Sequence, residues 1–509
     1  MPGSAPHNQP RQRAMVQSAV IAETRERIGL SLPLGLGLMA FLAGISSMKA
    51  RLEDPDVMLH IVTGRWIIAH RAVPHVDFLS HTMPGAKWVA HEWLGEVVTA
   101  LFYDAAGWHG LAAMAALGLG LAVGFFTRAL LRYYRPAQCI IIAVAAWFVV
   151  TPHWLARPHI LALPLLVAWM ALLVRARHEN RAPPLAAALL MILWANVHGS
   201  FLVGIGFAGL FTVEAVLTAS GQAARVAAAR QWAAFTVLAM LASLATPNFI
   251  DAYLLPLRLL DMKFALSVLQ EWKSIDFQKL STLEIWLVLF LGIALFTGIR
   301  LSPPRALMVL LLFAMSLQHA RNADLLAFIV PLIAAPEAGP QLARGAGRDV
   351  GARAGDWLDQ LARPANGRGI ALACLIAVAA EGAALAFPFT LHNRFAPVAA
   401  VRAAVDGGLS GPVLNEYDYG DYLMFQGIKT FIDGRADMFG DAFLKRYYYA
   451  TRGLSDELPA LLEQYHIAWT IFPQDSPAVI QLDRMPGWQR FYTDDMAVVH
   501  KRITAADRR

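Results

Sequence analysis

Three carboxylates in four residues, Glu53, Asp54 and Asp56, with Pro55 among them, open a polar segment from Arg51 to Trp108 that follows the first apolar run. Proline removes a backbone donor and restricts its neighbour, so the two aspartates stand in a held loop. A carboxylate placed there can take a proton from an attacking hydroxyl. It can equally hold a divalent cation, Mg or Mn, that neutralises a phosphate leaving group. The plain alternative is a solvated helix cap. Farther along the same segment, Trp88-Val-Ala-His91-Glu92-Trp93 sets a titratable pair between two indoles. An interfacial aromatic belt competes with a catalytic role for this stretch, and an amphipathic helix over 88–103 lying on a membrane would satisfy both. Five of the fifteen histidines fall inside this one segment, which makes it the expected centre of the chemistry.

Arg157, His159, His319 and Arg321 stand at the ends of apolar runs. Guanidinium forks bind phosphate oxygens in pairs, so together these residues suit an anionic lipid-phosphate donor. Snorkelling to headgroups is the competing account for each alone. His198, with Asn196 and Gly199, interrupts a long apolar stretch and reads as a turn residue. Near the C-terminus, Asn415-Glu-Tyr417-Asp418-Tyr419-Gly-Asp-Tyr422 precedes Asp433-Gly-Arg435-Ala-Asp437. Rings interleaved with acids suit a carbohydrate or peptide contact surface. A strand edge and turn with a structural Asp–Arg pair explains the same residues without a ligand.

The elements that must position these groups are membrane spans. Of 509 residues 57% are apolar and only 16% charged, and the mean hydropathy is +0.47, which excludes an ordinary soluble domain. Apolar runs long enough for a helix to cross a bilayer are expected at 28–48, 109–127, 138–154, 159–175, 183–197, 200–219, 231–247, 283–299, 306–319, 323–337 and 369–388. The net charge of +6 resides mainly in arginines between these runs, so it reports topology under the positive-inside rule and not nucleic-acid binding. With residues 1–27 taken as a disordered cytoplasmic N-terminus and 28–48 as an uncleaved anchor, every arginine-rich connection, including the 338–368 linker, falls in the cytoplasm. The carboxylates and histidines fall on the other side. A carrier would more often place its ionisable groups in mid-span. Residues 389–509 mix β-like runs at 412–414, 429–432, 469–472 and 496–499 with a helix over 457–465, which predicts a separate α/β domain. Cys139 and Cys374 both lie in apolar runs, so no disulfide is expected.

These residues, taken as a set, resemble the GT-C superfamily of membrane glycosyltransferases, and within it a bacterial branch. The matching pieces are Asp54-Pro-Asp56 with His60 and Gly64-Arg65-Trp66, Trp88 to Trp93, Arg157-Pro-His159, Trp194-Ala-Asn196-Val-His198-Gly199, Glu271-Trp272, Arg321-Asn322 and Ile432-Asp433-Gly434-Arg435. The resemblance implies a polytopic α-helical membrane protein of about eleven transmembrane helices with a periplasmic α/β domain, in the bacterial inner membrane. It implies a base or metal ligand at Asp54 and Asp56, with Glu92 and His91 beside them, and it adds Arg65 to the donor-phosphate set of Arg157, His159, His319 and Arg321. Residues 416–420 are similar to the WWDYG motif of oligosaccharyltransferase catalytic subunits. Glu416 and Tyr417 replace its two tryptophans, so peptide-sequon recognition is not implied. Tyr417, Asp418, Tyr419, Asp433 and Arg435 then become acceptor-binding candidates. The expected activity is inverting transfer of a sugar from a polyprenyl-phosphate carrier to a glycan, lipid or protein acceptor. The alternatives are a non-catalytic polysaccharide or lipid-carrier transporter, and an O-antigen-ligase-like enzyme that leans on Arg and His.

Overall fold

The computed structural model describes residues 29–269, 272–345, 352–391 and 394–503. The expected disordered segment 1–27, Glu271 and residues 346–351 of the 338–368 linker lie outside the described residues.

In chain order the bundle begins with α1 (Leu32–Ser46), α2 (Asp56–His70), α3 (Trp93–Leu130), α4 (Pro136–Val150) and α5 (Pro158–His178). It continues with α6 (Leu190–Val197), α7 (Phe201–Thr218), α8 (Gln222–Ser243) and α9 (Asp251–Asp261). Then follow α10 (Thr282–Thr297), α11 (Pro303–Gln318), α12 (Ala323–Gly345) and α13 (Gly367–Leu385). Among the described residues, seven of the helices are long and apolar enough to cross a membrane: α3, α4 with its short extension, α5, α7, α8, α12 and α13. The apolar helices α1, α10, α11 and the Leu185–Val197 segment that contains α6 are shorter.

Local chemistry sets several helix starts. Prolines at the first turns of α4 and α5 lack an N–H that would have no partner there. The Asn366 side chain caps α13 by accepting from the Gly369 N–H at 2.9 Å. Helix α3 is the central one, with Leu111, Met114, Ala115, Leu119, Ala122 and Phe126 all buried, and α1, α2 and α5 pack around it. It starts at Trp93, not at 88, because the Trp88 N–H is donated to the His75 carbonyl and Lys87 bridges to Val76, which holds that stretch extended. Ala106 and Gly107, the latter at φ 58°, break the helix into a surface part and a spanning part.

The two ends of the bundle differ in chemistry. At one end Arg305, buried, meets Glu214 at 3.2 Å and Glu337 at 3.4 Å, and Arg177 meets the same Glu214 at 3.4 Å. At the other end lie the connections that carry Asp54, Arg157, His198 and Arg321.

The chain ends in a four-stranded sheet, β1 (Val413–Asn415), β2 (Trp469–Phe472), β3 (Trp488–Thr493) and β4 (Val498–Arg502), in the order β1-β2-β4-β3. β1 and β2 are parallel, and the other pairs are antiparallel. The expected run at 429–432 forms no strand. Its backbone is taken by Leu79, His81 and the Asn415 side chain, leaving a single bridge between Ser80 and Thr430. A short helix, α14 (Gly420–Phe425), lays the domain against α2, where Met58 shares a core with Tyr419, Tyr422 and Leu423.

Candidate functional site

Two groups of ionisable side chains meet where α2, α3, α5 and the C-terminal domain come together. Pro55 precedes α2, and Asp54 behind it is 2% exposed. One Asp54 oxygen accepts the Asp56 N–H at 2.9 Å and the other meets the Arg157 guanidinium at 2.5 Å. Arg157 also reaches Asp56 Oδ2 at 3.0 Å. The two aspartates therefore hold one arginine in a fixed orientation, engaging all three of its guanidinium nitrogens.

One helical turn beyond Asp56, His60 faces the second group, and the charges of Glu92, Glu96 and Asp56 all act on its ring. Glu92 lies immediately before α3. Its Oε1 is 3.3 Å from His198 Nε2 and 3.4 Å from His91 Nε2, while Oε2 lies 4.0 Å from His60 Nε2. His198 Nδ1 accepts the Ser200 N–H at 3.0 Å, so Nε2 carries the ring proton and presents it to Glu92. The close crossing of α2 and α3 makes this possible. A Cβ on Gly64 would stand 2.1 Å from the Glu96 carbonyl, so only glycine lets His60 approach Glu92 and Glu96.

Electrostatics separates the members. Burial opposes charge on Glu92, but His198, His91 and His60 outweigh it and hold the carboxyl well below the usual range. Burial likewise opposes a charged His91, but the bond and charge of Glu92, with Asp437 and Glu96, push it up to about 9. His198 is taken the other way, lowered to about 3 by burial and then by His159 and Arg321, despite Glu92. At neutral pH Glu92 is thus ionised beside a protonated His91 and a neutral His198.

The remaining candidates fall into place around it. The His159 ring lies 6.3 Å from that of His198, and Arg321 stacks over Trp272 at 4.6 Å with its charge felt at His198. His319 donates to the Trp272 carbonyl at 2.7 Å, which anchors that turn. Arg65 faces elsewhere, paired with Asp104 and lying over Tyr103. In the C-terminal domain, Asp433 and Arg435 are 0% and 3% exposed, and the Arg435 guanidinium bridges Asp433 at 2.8 Å and Asp77 at 2.6 Å. Tyr419 is buried, its hydroxyl donated to the Met496 carbonyl at 2.7 Å. Asp418 is half-buried, raised by burial against the pull of Arg394 and Arg452 and further raised by Asp54. Tyr417 lies within the field of Asp56, Asp421 and Asp433. Trp88 is buried beneath Arg435 at 4.7 Å, not lying in an aromatic belt.

Sequence reading passed over Asp77, Glu96 and Asp421. The spacing of Glu92 and Glu96, one helical turn, was a signal for Glu96. Asp77 takes the Leu79 and Ser80 N–H groups, an Asx-turn pattern legible as Asp-x-x-Ser. Asp421 had no signal beyond its place in an acidic, aromatic run.

Trp93 and Leu94, which follow Glu92, line an open apolar pocket of about 780 Å³ together with Leu189, Leu193, Asn196 and Pro247. Asn196 accepts from Trp93 Nε1 at 2.6 Å and donates to the Ala245 carbonyl at 2.9 Å, which fixes α3 to α6 beside the pocket. The metal site implied by the resemblance fits Asp54 poorly, since both of its oxygens are engaged within the protein. Among the described residues no group of three or more His, Cys, Asp or Glu converges as a metal site.

No protein-family model matches the sequence, and no curated protein matches it. Solved structures do. ArnT from Cupriavidus metallidurans in the apo state aligns over 92% of this chain and 97% of its own, at 17% identity and a TM-score of 0.51. The chain shares the fold of that protein. ArnT from the same organism bound to undecaprenyl phosphate aligns over 93% of this chain and 98% of its own, at 15% identity and a TM-score of 0.47. The Archaeoglobus fulgidus oligosaccharyltransferase in the apo form covers 86% of this chain and 69% of its own, at 10% identity and a TM-score of 0.48.

Proposed function

We propose that this protein is an inverting glycosyltransferase that takes a sugar from a polyprenyl-phosphate carrier and gives it to an envelope glycan, lipid or protein hydroxyl. The observation that carries the reading is the nearness of the Asp54–Asp56–Arg157 cluster to the Glu92–histidine centre, with an open apolar pocket lined by Trp93, the residue after Glu92. The pocket takes the lipid chain, and Arg157, Arg321 and His159 take its phosphate. Glu92 Oε2, turned away from His91 and His198, takes the acceptor hydroxyl proton while the acceptor oxygen attacks the anomeric carbon and the lipid phosphate leaves. Asp418 and Tyr417 border the acceptor side, with Tyr419, Asp433 and Arg435 shaping it from behind. In this reading the polar end and the C-terminal domain lie on the periplasmic side of the membrane and the arginine-bearing end on the cytoplasmic side, as the basic connections favour.

The test is mass spectrometry of envelope glycans and lipid-linked sugars in wild type, a deletion strain, and the deletion strain carrying Glu92→Gln or Asp54→Asn/Asp56→Asn at matched expression. The enzyme predicts loss of one sugar, with its lipid-linked donor accumulating, in the deletion and both variants. Wild-type glycan in both variant strains overturns it. Intact glycan found in the wrong place in the deletion strain supports the transporter.

A further inference from the structure

At the end of the bundle away from Glu92, four helices bring charged side chains around a cavity of about 230 Å³. Helix α5 runs from Pro158, beside Arg157, to His178, so about 30 Å separates this cavity from the polar centre. Arg177 of α5, Glu214 of α7, Arg305 of α11 and Glu337 of α12 line it, with His178 and Ser302. The transfer proposed above uses none of them.

One of these groups is only half answered. Glu214 is 3% exposed, and its Oε1 meets Arg305 Nε at 3.2 Å and Arg177 Nε at 3.4 Å. Its Oε2, also buried, has no hydrogen-bond partner among the described residues. A buried carboxylate oxygen without a donor carries a large desolvation cost. Glu337 shows the contrast, since one of its oxygens accepts the Ser302 hydroxyl at 2.8 Å and the other the Ser302 N–H at 2.6 Å. The cavity far exceeds the roughly 10–15 Å³ that one water needs, so a larger donor has room.

Charge and bonding narrow the donor. Two guanidiniums face two carboxylates, so a bare cation or a bare anion would unbalance the lining and a zwitterion would not. Its positive group must carry N–H bonds to answer Glu214. The Arg305 hydrogen bonds run from Nε to Glu214 and from Nη1 to the Ile333 carbonyl, which leaves Nη2 for an anionic oxygen. Beside these residues, Val213 and Leu217 of α7 and Leu307 of α11 are exposed, an apolar surface against which acyl chains can lie. We propose that the cavity binds the headgroup of an ethanolamine phospholipid, with the ammonium on Glu214 and the phosphate against Arg305 and Arg177. Basic pockets between spans are a known setting for headgroup recognition.

The test is native mass spectrometry of the purified full-length protein released from nanodiscs of phosphatidylethanolamine, phosphatidylcholine or phosphatidylglycerol with the same acyl chains, followed by competition among the three. One phosphatidylethanolamine per chain is expected to be retained, with about tenfold preference over the other two, because choline offers no N–H and glycerol no cation. Glu214→Gln is expected to reduce that preference to about threefold or less. Equal retention of the three lipids by the wild type overturns the proposal, the outcome of a cavity filled by water or of a protonated Glu214. Undiminished preference in a Glu214→Gln protein that melts like wild type overturns it as well. The headgroup series uses the unaltered protein, so it can overturn the proposal even if Glu214→Gln folds poorly. Displacement of the lipid by an equal concentration of free phosphoethanolamine overturns the lipid assignment in favour of a soluble zwitterion. Sugar transfer enters none of these readouts, so failure of the transferase reading leaves them untouched.

Discussion

Glu92 and His91 are sequence neighbours whose surroundings oppose each other's ordinary behaviour, and that opposition is measurable as a pH dependence. His91 is raised in the folded state to about 9, with burial working against the shift and Glu92 foremost in favour. A group raised on folding contributes stability that is complete below its unfolded value and disappears as pH rises through the folded one. The melting temperature is therefore expected to decline between about pH 6.5 and 9. His91→Asn flattens that slope, which thermal melts across this range would show. Glu92 has the opposite sign. Its carboxyl is depressed, so its contribution is present above the ordinary glutamate range and is lost only in strong acid. On the transfer proposed above, Glu92→Gln withdraws the proton acceptor while retaining the shape, and a fall in turnover on the order of 10²–10⁴-fold is expected with little change in donor KM. On the same proposal Arg157→Ala, which leaves Asp54 buried without its guanidinium partner, is expected to raise donor KM instead. The split between these two variants in steady-state kinetics distinguishes a proton-transfer group from a donor-binding one.

Such residue effects depend on how closely two helices approach. Gly64 of α2 touches the backbone of α3 at Glu96, and Gly64→Ala forces the helices apart or bends them. A cost of about 1–3 kcal/mol is expected for such overpacking, with His60 carried away from Glu92. Thermal melts together with activity at saturating donor measure the two effects separately. This contact also marks where sequence reading succeeds and where it stops. Apolar runs bounded by arginines locate the bundle helices because composition alone pays heed to bilayer thickness. Asp54, Asp56, Arg157 and Glu92 are legible because charged groups next to apolar runs are unusual. The approach of α2 to α3 is not legible, since a lone glycine in a helix has many explanations. For the same reason His60, quoted in a motif, had no partner until the crossing supplied Glu92 and Glu96. The 429–432 run failed as a strand because side chains far away in sequence, Asn415 above all, claimed its backbone groups. Period and propensity carry no information about such partners.

At the scale of the whole molecule, the C-terminal domain closes the polar centre instead of standing beside it. Asp437 acts on His91, Tyr417 and Asp421 face Asp56, and Arg435 ties Asp433 of the domain to Asp77 of the first polar segment. The Arg435 pair is fully buried, so removing one partner leaves an unmatched charge that water cannot reach. Breaking it costs about 3–5 kcal/mol, and the seam between the domain and the bundle bears that cost. Arg435→Ala is expected to expose the 71–92 segment to limited proteolysis while the bundle helices remain protected. Activity falls in parallel, because Asp77 no longer fixes the turn that leads to His91 and Glu92. Arg435→Ala with Asp77→Asn removes one of the two buried carboxylate charges that the arginine answered, leaving Asp433, and recovers part of the protection, the behaviour expected of coupled residues. If instead the single variant is cleaved no faster than wild type, the domain is held by its apolar contacts with α2 alone. Arg435 would then serve the site by geometry without serving the seam.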